Sequence, residues 1–229
     1  MNTQMTIATR IKALRNSLPS HVELVAVSKT KPVEDIMEAY QSGQRLFGEN
    51  KAQELALKAP LLPSDIRWHF IGHLQTNKVR MVVPLVSVIH SVDSLKLLQA
   101  IDREARLAGK LLPCLLEFRI AGEETKYGLT PEEGTALLAS EAFRQMSHIT
   151  IAGVMGMASF TNDVDRVRAE FRKLRLIFEQ LKARFFPGDP HFREISMGMS
   201  GDYRLAIEEG STMVRIGTTI FSERNALDK

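Results

Sequence analysis

Three groups of residues in this chain are placed where they could do chemistry: a lysine at the end of an apolar run, two glycine- and hydroxyl-bearing turns, and an arginine inside the last apolar run. The lysine is Lys29, in Val25-Ala26-Val27-Ser28-Lys29-Thr30-Lys31-Pro32. Alternation puts Val25, Val27 and Lys29 on one face of a strand, so the amine sits at its carboxyl end. In an apolar setting the ammonium form is disfavoured, and a free amine can attack a carbonyl to give a Schiff base. Lys29 also reads as an ordinary lysine that snorkels to solvent where a strand stops. The turns are Met197-Gly198-Met199-Ser200-Gly201-Asp202 and Gly217-Thr218, which suit an anion if they open helices. Plain turn chemistry for the glycines and a plain cap for Ser200 are the alternatives. Arg215 shares a face with Met213 and Gly217, and either points into a cavity or pairs with a carboxylate such as Glu49. His69 alternates with Trp68, so one of the two faces inward. Asn50 either touches a ligand or caps the following helix. Met155 and Met157 read as core. No metal-ligand spacing, serine elbow or phosphate-binding Walker loop is present.

The elements that must position these residues alternate regularly. A helix over 3–18 opens the chain, and the strand carrying Lys29 follows, ended by Pro32 and the polar residues before it. Strands are then expected over 45–50, 66–72, 86–92, 111–119, 149–157, 192–197 and 213–221. Helices are expected over 32–42, through Ala59, over 74–82, 94–107, from Thr130, over 163–186 and over 200–209. About eight strands, seven of them followed by a helix, predict an α/β fold: a single (β/α)8 TIM barrel with an extra N-terminal helix, one domain over 1–229. In such a barrel, ligands sit at the carboxyl ends of the strands and phosphates near the last two loops. An open doubly wound sheet is the rival architecture.

Composition narrows the function classes. A net charge of +3 with interleaved signs gives no nucleic-acid footprint. Mean hydropathy of −0.10 and the lack of any long apolar run exclude a helical membrane span. A single cysteine, Cys114, and an N-terminus without signal-peptide character point to the cytoplasm.

At the same residues the chain resembles a known family. The segments quoted above around Lys29 and Ser196-Met197-Gly198-Met199-Ser200, with Phe47-Gly48-Glu49-Asn50, Trp68-His69-Phe70-Ile71-Gly72-His73-Leu74-Gln75-Thr76-Asn77-Lys78 and Gly210-Ser211-Thr212-Met213-Val214-Arg215-Ile216-Gly217-Thr218, look like the YggS/PROSC family of pyridoxal-5′-phosphate (PLP) homeostasis proteins. That family has the barrel of the alanine racemase N-terminal domain, fold type III among PLP proteins. The resemblance implies that Lys29 holds PLP as a Schiff base. It also implies that Ser200, Gly217 and Thr218, with the amides around Met199, hold the phosphate, and that Arg215 faces the pyridine nitrogen. Asn50 and His69 would line the pocket, Met155 would lie near the ring, and Ser196 and Gly198 belong to the same cofactor-binding set. The chain departs from the pattern at Lys51-Ala52, where many members carry a tyrosine directly after the asparagine.

An arginine opposite the pyridine nitrogen leaves that nitrogen unprotonated and the ring a weak electron sink. The expectation is therefore a protein that buffers PLP and delivers it to apo-enzymes, as a monomer and without robust turnover. The chain also ends just after the last barrel strand, at Lys229, without the second domain of a racemase. A PLP-dependent amino-acid racemase of low activity and a Schiff-base aldolase are the alternatives. Whether Lys31 or Lys126 takes PLP over from Lys29 stays open.

Overall fold

Apolar stripes at helical spacing and short apolar strands build the computed structural model, which describes residues 5–122 and 127–222. The first helix, α1 (Ile7–Ser17), buries Ile7, Ile11 and Leu14, and its N-cap Thr6 accepts a bond from the Thr9 amide. Strand and helix then alternate: β1 (Glu23–Val27), α2 (Val33–Gln41), β2 (Leu46–Glu49), α3 (Ala52–Lys58), β3 (Arg67–Phe70), α4 (Val79–Val82), β4 (Val88–Val92) and α5 (Leu95–Leu107). The second half continues with β5 (Leu112–Phe118), α6 (Pro131–Ala139), α7 (Glu141–Arg144), β6 (Ile149–Gly156), α8 (Val164–Phe185), β7 (Glu194–Ser196), α9 (Tyr203–Glu208), β8 (Met213–Ile216) and α10 (Thr218–Phe221). Two helix starts follow their sequence signatures: Thr130 and Glu133 form a capping box on α6, and Asp163 caps α8.

Every strand pairs in parallel with the next, and β8 closes on β1 through Glu23↔Met213 and Val25↔Arg215. The result is a TIM barrel, and closure leaves no sheet edge to defend. Alternation divides the strand residues between two environments. Leu24, Ala26, Phe47, Trp68, Ile89, Leu116, Val154, Ile195 and Val214 face outward and join the helix stripe of Ile36, Leu55, Leu98, Ile101, Phe171 and Leu174 in one apolar layer. The inward set mixes apolar Val25, Leu115, Met155 and Met213 with polar His69, His90, Glu117, Ser196 and Arg215, all buried. Five polar side chains in a barrel interior need partners or a function.

The expected elements hold, with corrections at their ends. The last strand stops at Ile216 rather than running to Phe221, because Gly217 turns the chain into the short helix α10. The expected helix over 74–82 is a 3₁₀ turn at Thr76–Lys78 followed by the single turn α4. The expected helix over 200–209 begins only at Tyr203, since 199–202 forms a turn.

Candidate functional site

The carboxyl end of β1 builds the first wall of the site. Lys29 lies two residues past the strand, in a turn closed by the Lys31 amide on Ser28 O at 3.0 Å. Thr30 adopts φ 61°, a left-handed conformation that is strained for a β-branched residue, and its amide is held by Glu54 Oε1. The apolar setting expected for Lys29 is not what the turn provides: the side chain is exposed. The strand ends too early to bury it. Two of the expected residues join Lys29, for Val27, Lys29, Thr30, Lys31, Gly217, Thr218 and Ser222 line one pocket of about 190 Å³, whereas Ser200 and Arg215 are not among its lining. Lys31 is already committed, since its Nζ donates to Ser222 O at 2.9 Å and Phe221 O at 3.3 Å at the end of α10. Lys126 falls outside the described residues.

The loops after β7 and β8 form the opposite wall. Gly198 has φ 94°, and a Cβ there would lie 2.6 Å from Ala206 Cβ, so only glycine fits the turn. A Cβ on Gly217 would meet Val27 O at 3.2 Å, so the backbone runs close against the Lys29 strand. Ser200 does not cap α9; its Oγ faces the Thr219 amide at 3.5 Å, which brings the two loops together. The Met199 amide, expected to be open to an anion, donates instead to Asp202 Oδ1. Burial pushes the Asp202 carboxyl up, although that amide and Arg215 favour its charged form.

Beneath these loops lies a hydrogen-bonded polar chain. Arg215 donates through Nη1 to Ser196 Oγ at 2.7 Å and through Nη2 to Gly156 O at 3.1 Å. Ser196 Oγ lies 3.0 Å from His90 Nδ1, and His90 Nε2 lies 2.9 Å from His69 Nδ1. Burial pulls the Arg215 guanidinium down to about 10, against the pull of Glu117 and Asp202. Burial also lowers His69 to about 3 and His90 well below its usual value, so both rings are neutral at physiological pH. Glu117 is pushed up to about 7 by burial and by Asp93, with Arg215 opposing.

Arg215 does point inward, but the pairing with Glu49 does not form. Glu49 lies on the outer face of β2, bonded to Lys58 Nζ at 2.8 Å and Ser28 Oγ at 2.7 Å. His69 turns inward while Trp68 packs outward against Phe47, their ring centroids 5.8 Å apart. Met155 is buried beside Ser196 in strand register, whereas Met157 is exposed, not core. Asn50 caps nothing: its Oδ1 is buried without a partner among the described residues. It lines a second pocket, of about 150 Å³, with Phe70, His73 and Leu74, apart from the one that holds Lys29. Sequence reasoning missed His90 and Glu117. The signal was there, a polar residue recurring in otherwise apolar strands, but a register shift between Ile89 and Val92 hides the parity of β4. A larger cavity, about 380 Å³, opens at the other end of the barrel near Arg15, Gln44 and Arg67. Arg15 there donates to Gly43 O and Gln44 Oε1.

Comparison with known proteins agrees with this architecture. Residues 4–225 match the family described as alanine racemase, N-terminal domain. A pyridoxal phosphate homeostasis protein of Vibrio alginolyticus is 42% identical over 212 residues, covering 90% of this chain and 88% of that one. The human protein of the same name is 40% identical over 97% of this chain and 82% of its own. Among solved structures, PipY of Synechococcus elongatus with PLP bound superposes with a TM-score of 0.86 at 37% identity, over 94% of this chain and all (100%) of that one. An alanine racemase of Clostridium difficile shares the fold at 13% identity, with a TM-score of 0.75 over 97% of this chain and 61% of the racemase.

Proposed function

The chain belongs to the family of pyridoxal phosphate homeostasis proteins built on the alanine racemase N-terminal domain, and from that premise we infer that it binds pyridoxal 5′-phosphate and takes part in PLP homeostasis. The residues present fit the cofactor on their own geometry. Gly198 leaves no room for a side chain, the Gly217 backbone runs close against Val27, one polar atom of Asn50 is buried without a partner among the described residues, and one buried guanidinium donates only to neutral acceptors. When bound, PLP supplies an aldehyde that a lysine amine can take up covalently, and a phosphate and a ring that the protein can grip.

The single observation that carries the reading is the pocket that Lys29 shares with Gly217 and Thr218, next to the end of the strand that carries buried Arg215. Lys29 provides the amine. Ser200, Gly217 and Thr218 provide hydroxyls and backbone for the phosphate, with the Met199 amide joining once Asp202 lets it go. Arg215 offers its remaining N–H groups to the ring nitrogen. Gly198 shapes the loop, while Ser196, His69 and Met155 form the floor and Asn50 the flank. An exposed amine in an open pocket suits uptake and release, which is the behaviour of a carrier and not of an enzyme that must exclude water. We take apo-enzymes that need PLP to be its recipients. A monomer in the cytoplasm is the acting unit, because one chain carries every residue invoked. No helix among the described residues is long and apolar enough to cross a membrane.

The test is the absorbance spectrum of the purified protein, followed by borohydride reduction and peptide mapping. A yellow protein with pyridoxyl fixed on Lys29, and none in Lys29→Ala, is the expected result. A protein that cannot be loaded overturns the assignment.

A further inference from the structure

The polar chain under the pocket has a direction, and the direction follows from hydrogen-bond bookkeeping alone. A guanidinium donates and never accepts, so Arg215 Nη1 donates to Ser196 Oγ. Ser196 is fully buried, and the partners of its hydroxyl among the described residues are Arg215 and His90 Nδ1. If His90 Nδ1 carried a proton, Ser196 would accept from both sides and its own hydrogen would have no acceptor. Stranding a buried donor disfavours that arrangement by roughly tenfold or more. Ser196 therefore donates to His90 Nδ1, and His90 holds its proton on Nε2. That proton is given to His69 Nδ1, 2.9 Å away, so His69 in turn holds its own proton on Nε2. Neutrality of both buried rings, argued above from their low pKa values, is what the scheme requires.

We propose that Arg215, acting through Ser196 and His90, fixes His69 as an Nε2–H donor in the barrel interior, which makes Ser196 and His90 positioning residues for a ring held beside Arg215. Arg215 and His69 then both present donors to the interior, with the Glu117 carboxyl on β5 the acidic group facing them from the neighbouring wall. A ring that presents acceptors, such as an unprotonated pyridine nitrogen and a phenolate oxygen, is favoured over one that presents N–H groups. This consequence for the ligand rests on the PLP reading; the proton order in the empty protein does not.

The experiment is nitrogen-15 NMR of the histidine rings in the cofactor-free full-length protein. His69 and His90 should both show the neutral Nε2–H pattern, unchanged from about pH 5.5 to 8. Ser196→Ala should add a second tautomer at both rings and weaken PLP binding about tenfold, with an altered ratio of the bound absorbance bands. Ser196→Thr, which keeps the hydroxyl, should restore the single pattern. An Nδ1–H signal in the wild-type protein, titration of either ring in that range, or unchanged tautomers in Ser196→Ala overturns the proposal. The expected tautomers in a protein that takes up no PLP would keep the proton order and overturn the ligand reading instead.

Discussion

Two buried polar networks flank the turn that carries Lys29, and they differ in how their charge is matched. Outside the barrel wall, Lys58 Nζ meets Glu49 at 2.8 Å, Glu54 at 2.6 Å and Ser28 O at 2.8 Å, so cation and carboxylates are paired within the fold. Inside, Arg215 bonds only neutral acceptors, and Glu117 and Asp202 act on it through space. Burying a charge is costly unless something compensates it. The outer network pairs its cation with carboxylates of the fold, although Glu49 Oε2 is buried without a partner among the described residues, and so reads as scaffold, bracing the loop before Lys29. The inner one keeps unspent donors on a buried cation, which is what a site prepared for an acceptor-bearing ligand must do.

The contrast can be broken most severely at Lys58. Lys58→Met strands the Glu49 carboxylate and should cost about 3–5 kcal/mol of stability at pH 7 in urea unfolding. The cost should shrink in acid as Glu49 takes up a proton. A loss under about 1 kcal/mol would mean that the outer network is no more a scaffold than the inner one.

Glu117 tests the inner network through pH. Its carboxyl, normally near 4.5, stands at about 7 in the fold, so the unfolded chain gives up this proton first. Stability should therefore fall as pH rises from about 4.5 through 7 and level off above, by up to roughly 3 kcal/mol. Glu117→Gln should flatten that slope, and a slope unchanged in the variant would remove Glu117 as its source.

The smallest effect separates the two buried serines. Ser28→Ala removes a bond to a carboxylate that Lys58 still holds and should cost about 2 kcal/mol, and Ser196→Ala, which loses a bond from a guanidinium as well as one to a ring, should cost at least as much. Denaturation midpoints of the two variants, measured side by side, decide the order.

Much of this was legible in the chain itself. The barrel follows from period-2 apolar runs alternating with 3.6-period stripes, and α8 with its Val167, Phe171, Leu174 and Phe178 is the plainest case. That Lys29, Arg215 and Gly217 gather at the carboxyl ends of the first and last strands was also readable, because the order of strands and turns is written along the chain. Element ends were not. Met213–Ile216 stops short of Phe221 since Gly217 sits close against Val27 O, a contact 190 residues away in the chain. The exposure of Lys29, the use of the Met199 amide by Asp202 and the isolation of Asn50 in its own pocket likewise depend on neighbours from other strands.

The sequence by itself therefore determined the architecture, the family and the alternation of side chains along most strands, because periodicity and local motifs act over a few residues. Only the tertiary structure decided which buried charges find partners. His69, His90, Ser196 and Arg215 come from four different strands, and closing the barrel is what brings their polar atoms within 3.0 Å of one another along the chain of bonds. Glu49 was drawn the other way, to Lys58 on the helix that follows its own strand. Burial and distance, which no local pattern encodes, set those pairings.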